Sequence, residues 1–259
     1  MKTSISSINP KKRIKLWQKL IAVLIWLLIW QFASVFIKQE MLLASPISVL
    51  DTLSKLIFEK SFWMSIIFSL SRVISGFSLA FTFGIIFAGL AYKFNFINIF
   101  LNPIMGIIKT TPVVSYIILS LLFFSSKNLP IFISFLMTLP IIYVNISEGL
   151  ENTDKKLLEM AKIFNVSKFK QIIYIYLSHL TPFLVSACSL SLGLCWKSAI
   201  TAEVLALPNG SIGENIYQAK IFVDTKTLLA WTVVVIIISF SFEKLFLTIL
   251  KKIIKITER

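Results

Sequence analysis

The amino-acid sequence predicts an all-α integral membrane protein with six transmembrane helices, and three observations support this fold class. Of the 259 residues, 57% are hydrophobic and 15% are charged, whereas soluble domains average about 45–50% and about 25%. The mean hydropathy is +0.86. Long stretches with few or no charged residues recur along the chain. This composition excludes a soluble enzyme, and the aromatic content of 14% excludes a disordered chain.

The six spans follow from these stretches, because an apolar helix of about 20 residues crosses the hydrocarbon core of a bilayer. The first apolar stretch follows a basic segment, as in a signal peptide. This apolar stretch is longer than the apolar region of a signal peptide and shows no convincing cleavage site, so we expect a retained anchor. The spans are predicted at about 20–37, 63–92, 97–124, 128–147, 171–205 and 227–250.

The distribution of basic residues predicts the orientation of the chain. If the N-terminus is inside, 17 of the 26 Lys and Arg residues lie on the inner side, six lie in outer segments and three lie within spans. Because basic residues accumulate on the cytoplasmic side, both termini are predicted there. Residues 1–19 and 251–259 would be basic cytoplasmic tails, and residues 20–250 a single transmembrane domain. This explains the net charge of +14, so nucleic acid is not an expected partner.

The first outer loop predicts a short amphipathic helix at the membrane surface. Ser45 is a favourable N-cap residue, and Pro46 suits the first helical position. Ile47 and Leu50 supply the apolar side of this helix.

Span two carries a stripe of small residues. Gly76, Ala80, Gly84 and Ala88 recur every four residues, a spacing that allows helix backbones to approach closely in lipid. Arg72 precedes this stripe by one helical turn. Because a charged side chain within a span faces protein or a water-filled cavity, we expect the stripe to face other helices.

Four charged residues are predicted at membrane depth: Arg72, Lys109, Lys197 and Glu203. Lys109 is about twelve residues into span three, which at a rise of about 1.5 Å per residue places it near the midplane. Each such charge costs at least about 2.5–3.5 kcal/mol to insert, so we expect these residues to have functions. Two interpretations stay open. Arg72 or Lys197 pairs with Glu203 and holds helices together, or the four residues line a translocation pathway whose basic excess favours an anionic solute.

The sequence shows no catalytic or metal-binding arrangement. His179 is the single histidine, and Cys188 and Cys195 lie seven residues apart in one apolar stretch. They do not form a metal-ligand spacing, and we expect them to pack within the bundle. The phosphate-loop pattern G-x-x-x-x-G-K-[ST] does not occur. We therefore expect a protein that is not an enzyme and has no resident cofactor or metal.

The inner loop at residues 148–170 predicts two short helices joined by a turn. Asp154 or Thr153 can cap the first helix. Asn165 can end it, because Asn tolerates the left-handed backbone conformation, and Ser167 can cap the second. The first helix has an apolar face, which can lie on lipid or bind in a groove of a partner protein. This face consists of Leu157, Leu158, Ala161 and Phe164.

The 148–170 loop and the start of span five resemble the EAA signature of ATP-binding-cassette importer permeases. That signature is E-A-A, three residues, G, nine residues and I-x-L-P. Glu159 and Ala161 match the first and third positions of E-A-A, and Ile175 and Leu177 match the I and L positions. The residues that depart from the signature are Met160, Asn165 and Ser178.

Other stretches resemble the nitrate, sulfonate and taurine branch of these permeases, in the same order along the chain. The similarity covers roughly residues 40–250. This branch includes permeases for thiamine-precursor pyrimidines and riboflavin, so the resemblance does not name the solute. The similar stretches are 43–46, 69–77, 202–203, 210–213 and 224–230.

The resemblance implies a permease subunit of an ATP-driven importer in a bacterial inner membrane. Two permease subunits, expected to be identical, would form the solute pathway. Two separate ATPase subunits would each bind one 148–170 loop, and an extracytoplasmic solute-binding protein would deliver the solute. The coupling residues that the resemblance implies are Leu157, Leu158, Glu159, Ala161, Phe164 and Asn165.

A secondary transporter is the main alternative class, but the sequence shows no evident internal repeat of the kind common in such folds. A channel would need a filter-like run or a ring of acidic residues. A membrane enzyme would need a nucleophile, an acid–base pair or a metal cluster at membrane depth. Because the sequence shows none of these patterns, we expect an importer subunit.

Overall fold

The computed structural model describes residues 16–257, and these residues form helices and connecting turns. Residues 1–15 and 258–259, which hold most of the predicted N-terminal tail and the last residues of the C-terminal tail, lie outside the described part. The helices are α1 (Leu16–Ile37), α2 (Pro46–Leu56), α3 (Lys60–Lys93), α4 (Asn95–Thr110), α5 (Val113–Ser120), α6 (Leu129–Glu151), α7 (Lys155–Ile163), α8 (Lys168–Gln171), α9 (Ser178–Ala206), α10 (Ile212–Ile221) and α11 (Thr225–Thr257).

The predicted all-helical membrane fold is confirmed. Five helical stretches are long and apolar enough to cross a bilayer, and the bent pair α4–α5 makes a sixth if it is counted as one crossing. A π-helical segment, Ile172–Leu177, connects α8 to α9, so that helix is continuous from residue 168 to residue 206. Helix α11 extends to Thr257 and therefore includes residues 251–257 of the predicted C-terminal tail.

The third predicted span, 97–124, is not one continuous helix. Helices α4 and α5 meet at an angle of 99° across Thr111 and Pro112. The residue before a proline is driven toward extended backbone, and Thr111 has φ −77° and ψ 133°. The break therefore follows from Pro112. The midplane depth predicted for Lys109 depended on a straight helix, which the structure does not have.

Helices α3, α6 and α9 form the centre of the bundle, with α6 packed between the other two. Large side chains of α6 and α9 are fully buried at these contacts, among them Ile142, Tyr143 and Trp196. Cys188 and Cys195 are also buried, as expected for small packing residues. Helix α11 packs on α9 and α10 at the periphery, and α2 packs on α11.

The bundle has two ends, which we name by the short helices that lie there. Arg72 in the first half of α3 and Lys127 just before α6 are in contact at the α10 end. The chain leaves α6 and enters α9 at the α7 end, where the 148–170 loop lies. Helix α1 ends at the α10 end, because Trp30 Nε1 donates to the carbonyl of Ala44 at 3.1 Å, close to α2.

The short surface helix predicted after Ser45 is confirmed as α2. The Ser45 side chain accepts the backbone N–H of Ser48 at 3.1 Å, and Pro46 is the first helical residue. The preceding loop is held to the start of α11 by an ion pair of 2.6 Å between Lys226 and Glu40. These contacts fix α2 beside α11 at the α10 end.

The stripe of small residues on α3 faces α6, as predicted, and the two glycines make the closest approaches. A Cβ atom at Gly76 would lie 2.8 Å from the carbonyl oxygen of Ile131, and one at Gly84 would lie 2.7 Å from Cγ2 of Ile142. Ala80 and Ala88 are fully buried on the same stripe. The spacing of α3 and α6 therefore depends on the absence of a side chain at these two positions.

We predict that Gly84→Ala destabilises the purified protein in detergent by about 1–3 kcal/mol, because an overpacked contact forces neighbouring atoms to move. Gly89→Ala is the matched control on the same helix, since a Cβ atom there has no neighbour within 4 Å. It should leave stability unchanged or raise it. Thermal unfolding of both variants measures this, and equal melting temperatures would contradict the assigned contact.

Candidate functional site

Helix α7 in the 148–170 loop has a defined cap at each end. The Asp154 side chain accepts the backbone N–H of Lys156 at 2.9 Å, which confirms one of the two predicted N-caps. Asn165 has φ +50°, and the N–H of Val166 donates to the carbonyl of Ala161 at 2.8 Å. These features form a Schellman motif. The turn chemistry predicted for Asn165 is therefore confirmed, and the loop holds α7 as a fixed helix.

Helix α8 begins as predicted after Ser167, but the Ser167 hydroxyl makes no capping hydrogen bond. Instead, the Gln171 side chain donates to the carbonyl of Val166 at 2.7 Å. The predicted start of the second helix is correct, and the predicted role of the serine side chain is wrong.

An apolar face of α7 is exposed, but its composition differs from the prediction. Ala161 is only 3% exposed and faces the protein, so the expectation of an exposed Ala161 is wrong. Leu158 is half-buried. The helix is rotated so that the side toward Met160 and Ile163 is outside. The exposed apolar residues are Leu157 at 44%, Met160 at 51%, Ile163 at 76% and Phe164 at 73%.

Three of the four charged residues of α7 lie on one side of the helix, and the fourth, Lys156, is exposed on the apolar side, four residues before Met160. Lys155, Glu159 and Lys162 are all exposed, and their spacing of three or four residues places them together on one side of the helix. The result is an amphipathic, capped helix that projects a compact apolar surface from the bundle.

The π-helical segment Ile172–Leu177 lies between this loop and α9. It contains Ile175 and Leu177 of the predicted signature, and its residues are exposed or half-buried. Pro182 follows in the next turn of α9. Because proline has no backbone N–H, the carbonyl of Ser178 loses its helical donor. The π-helical segment is therefore adjacent to the turn of α9 in which the backbone hydrogen bond from Pro182 to Ser178 cannot form.

At the α10 end, Arg72 of α3 and Glu203 of α9 form an ion pair, with 3.7 Å between Nη1 and Oε1. Both side chains are buried, at 4% and 0% exposure. The Arg72 Nε donates to the carbonyl of Lys127 at 2.7 Å, and the guanidinium lies 3.3 Å from the ring centre of Phe68. The sequence left open whether Glu203 pairs with Arg72 or with Lys197, and the structure shows the pair with Arg72.

The Glu203 carboxylate also holds the N-terminus of α10. Its Oε2 accepts the hydroxyl of Ser69 at 2.8 Å and the N–H of Gly213 at 3.1 Å. The N–H of Ile212 donates to Ser69 Oγ at 3.0 Å. A negative charge at this position interacts favourably with the helix dipole. Helix α10 is thereby fixed to α3 and α9 through one buried carboxylate.

Gly213 makes this contact possible, since a Cβ atom there would lie 2.3 Å from the Cβ of Glu203. Sequence reasoning did not predict Ser69, Ile212 or Gly213 as partners of Glu203. The stretches 69–77 and 210–213 are part of the family resemblance, but a resemblance in sequence does not specify which side chains are in contact.

The structure does not bring Lys109 and Lys197 into the ion pair. Both side chains are exposed on the described surface of the chain. Lys109 lies in the last turn of α4, just before the break at Pro112. The four charged residues therefore divide into one buried pair and two separate exposed lysines.

Two further polar contacts between helices were missed. The Tyr143 hydroxyl donates to Oδ1 of Asn102 at 3.0 Å, which joins α6 to α4. Ser189 Oγ donates to a carboxylate oxygen of Glu243 at 2.6 Å, which joins α9 to α11. Tyr, Asn and Ser are common in membrane helices as packing residues, so composition alone did not single these residues out.

Among the described residues, no group of three or more His, Cys, Asp or Glu side chains could hold a metal ion. The two arrangements with evident chemistry are thus the exposed face of α7 and the buried pair of Arg72 and Glu203.

We predict that Asn165→Val destabilises the 148–170 loop by about 1–2 kcal/mol, since a left-handed conformation is costly for residues other than Gly and Asn. Asn165→Gly is the control and should be tolerated. Limited proteolysis of the purified protein measures the effect. If both variants are cleaved in this loop at the wild-type rate, the left-handed turn does not hold α7.

For the buried pair, we predict that Arg72→Leu costs about 3–5 kcal/mol, because it leaves an unpaired buried carboxylate. Adding Glu203→Gln to Arg72→Leu should recover a part of this loss, since the neutral amide needs no counter-charge. Thermal unfolding of the two single variants and the double variant measures the coupling. Strictly additive effects would show that the two side chains do not interact.

Comparison with known proteins identifies the family. Residues 80–255 match the family described as "Binding-protein-dependent transport system inner membrane component". This match includes α6, the 148–170 loop and α9 in full, and nearly all of α11.

Three relatives show the range of named functions. The nitrate import permease protein NrtB of Synechococcus elongatus is 28% identical over 206 residues, which is 75% of this chain and 73% of NrtB. SsuC of Bacillus subtilis, named for aliphatic sulfonates transport, is 25% identical over 84% of this chain and 80% of its own length. The bicarbonate transport system permease protein CmpB of Synechococcus elongatus is 28% identical over 61% and 57%. Because the family match covers more than half of the residues, the chain belongs to the inner membrane components of binding-protein-dependent transport systems.

Proposed function

We propose that this chain is the permease subunit of an ATP-driven importer of a small anion, and that the exposed apolar face of α7 binds a separate ATPase subunit. The observation that carries the proposal is the projection of four apolar side chains from a helix that is capped at both ends and lies outside the bundle. Family membership supports the assignment to transport, with ATP hydrolysis performed by the partner ATPase and not by this chain.

The shape of α7 favours a protein groove over a lipid surface as its binding site. A helix that lies on lipid presents a broad apolar face and a strongly basic polar face. Helix α7 has nine residues, and its polar side includes Glu159 beside Lys155 and Lys162. A short helix with a compact apolar side, and with charges of both signs on its other side, suits a groove that receives the apolar side alone. Family members work with an ATPase component, which supplies such a partner.

The position of the 148–170 loop gives α7 a direct mechanical connection to the bundle. The loop joins the end of α6 to the start of the helical stretch that becomes α9. These two helices pack against each other over much of their lengths. A displacement of α7 by an ATPase would therefore be transmitted to α6 and α9 and change their packing.

The proposal includes the orientation of the chain in the membrane and the number of subunits in the transporter. The excess of basic residues supports an orientation with the α7 end and both termini in the cytoplasm. Two copies of the chain form the solute pathway as a homodimer, each with its own ATPase subunit. The solute-binding protein docks at the opposite end of the bundle, where α2 and α10 lie. Leu157, Met160, Ile163 and Phe164 contact the ATPase, while Ala161 packs against this chain.

A small anion is the solute class that the relatives favour, because nitrate, sulfonate and bicarbonate in their names are all oxygen-bearing anions. The pair of Arg72 and Glu203 holds α3, α9 and α10 together beside the pathway. Lys109 and Lys197 are exposed on the single chain, and we assign them to the pathway surface between two copies.

We predict that Met160→Asp weakens binding to the ATPase at least tenfold, because a carboxylate placed in an apolar groove must lose its hydration. Co-purification of the two subunits from membranes, followed by quantitative binding in detergent, measures the loss. ATP-driven uptake of solute should fall in parallel.

Lys155→Asp is the matched control for this variant, since it introduces the same side chain at an exposed position on the polar side of α7. It should leave ATPase binding within about twofold of wild type. If Met160→Asp and Lys155→Asp bind the ATPase equally well, the apolar face is not the docking surface.

A further inference from the structure

A cavity of about 500 Å³ lies at the α10 end of the bundle, and two of its lining residues contact the buried Arg72. Its walls come from three elements: Phe68 of α3, the 125–127 segment before α6, and the 207–209 segment between α9 and α10. The polar side chains in these walls are Ser125, Ser126, Lys127 and Asn209. The cavity walls therefore carry hydroxyl groups, one amide group and the ammonium group of one exposed lysine.

Two residues in the cavity walls also hold Arg72. Phe68 supplies the ring on which the guanidinium lies, at 3.3 Å from the ring centre. Lys127 supplies the carbonyl that accepts from Arg72 Nε at 2.7 Å. The guanidinium is therefore held against the inner side of the cavity wall, although the residue is 96% buried.

Arg72 retains hydrogen-bonding capacity in this position. Among the described residues, neither Nη1 nor Nη2 of Arg72 has a hydrogen-bond partner. Glu203 compensates the charge from 3.7 Å, but its Oε2 is already engaged by Ser69 and Gly213. Both nitrogens are buried and Arg72 does not line the cavity, so Arg72 would act on a bound anion through its charge and not through a direct hydrogen bond.

The local charges favour an anion. Arg72 and Lys127 contribute two positive charges, against which the buried Glu203 places one negative charge. The carboxylate of Glu214, at the start of α10, keeps its negative charge while it accepts the backbone N–H of Gly210 at 2.5 Å, but Glu214 does not line the cavity. Lys127 is the charged side chain among the lining residues, and a positive charge in a concave site raises the local concentration of anions.

We propose that this cavity is a low-affinity binding site for a small oxyanion, in which the Lys127 ammonium and the hydroxyls of Ser125 and Ser126 contact the anion. Arg72 stabilises the bound anion from below as a positioning residue. The apolar wall formed by Phe68, Leu207 and Pro208 accommodates a short organic substituent, so sulfonates are included. The proposal rests on the proposed function for its role, which is to receive the solute from the binding protein at the entrance of the pathway.

The test uses the full-length permease in lipid nanodiscs, without ATPase or binding protein. Nitrate, methanesulfonate and bicarbonate are titrated at constant ionic strength, and ligand-dependent stabilisation against thermal unfolding gives each apparent Kd. Dimethyl sulfone, a neutral molecule of similar shape to methanesulfonate, is the ligand control. We expect saturable stabilisation by at least one of the anions and none by dimethyl sulfone.

Lys127→Gln should weaken the apparent Kd of that anion about tenfold or more, as expected for loss of a charge-assisted hydrogen bond. The substitution keeps the backbone carbonyl that holds Arg72. Lys220→Gln, at an exposed lysine of α10 outside the cavity walls, is the matched control and should bind as wild type does. Equal Kd values for the two variants, or no saturable stabilisation of the wild type, would overturn the site.

A second measurement separates this proposal from the proposed function. The complete transporter in proteoliposomes is assayed for ATP-driven uptake of the same anions. Uptake by the wild type, together with unchanged uptake and unchanged anion Kd in Lys127→Gln, would reject the cavity and leave the importer intact. Saturable, Lys127-dependent anion binding without uptake of any anion would instead reject the assigned transport function.

Discussion

The packing of α6 between α3 and α9 is the interaction on which the rest of the structure depends. In lipid, helices do not associate through the hydrophobic effect, so close van der Waals contact must hold them. Gly76 and Gly84 allow α3 to approach α6, and the fully buried Ile142 packs against Gly84 at this contact. The 148–170 loop joins two of these three helices. A force on α7 therefore acts on the most tightly packed part of the molecule.

The two ends of the bundle are built differently. At the α10 end, a buried carboxylate, a guanidinium and a helix N-terminus are joined by short hydrogen bonds, so that α3, α9 and α10 meet in a fixed arrangement. At the α7 end, the chain passes through a short capped helix and a π-helical segment with few buried residues. π-Helical turns are often found at functional positions. This difference suits a transporter in which force is applied at one end and solute enters at the other.

Much of the fold could be predicted from the sequence, because the requirement that backbone groups be satisfied in lipid leaves few options. The presence of several apolar helices long enough to cross a bilayer, the start of α2 and the caps of α7 at Asp154 and Asn165 followed from local residue chemistry. The sequence could not show that Pro112, among the five prolines in or near the spans, is the one that breaks a helix, since membrane helices often tolerate proline. Whether a given proline breaks a helix depends on which neighbours satisfy the freed carbonyl groups.

The candidate sites were less predictable because they depend on tertiary contacts. The sequence identified Arg72 and Glu203 as charges that need partners, yet it could not select Ser69 or Gly213, which lie far apart along the chain. The sequence placed the exposed apolar face on the correct helix, but it wrongly included the buried Ala161 in that face. Helical periodicity gives the relative directions of side chains, whereas the rotation of a short helix against the bundle is set by packing.

Cysteine cross-linking along α7 in the assembled transporter tests the central claim most directly. The native Cys188 and Cys195 are buried, so an introduced thiol can be addressed selectively. The account predicts that Met160→Cys cross-links efficiently to the ATPase, whereas Ala161→Cys, one residue away and facing the bundle, does not. Efficient cross-linking at Ala161→Cys with none at Met160→Cys, or cross-linking of Met160→Cys to lipid alone, would contradict it.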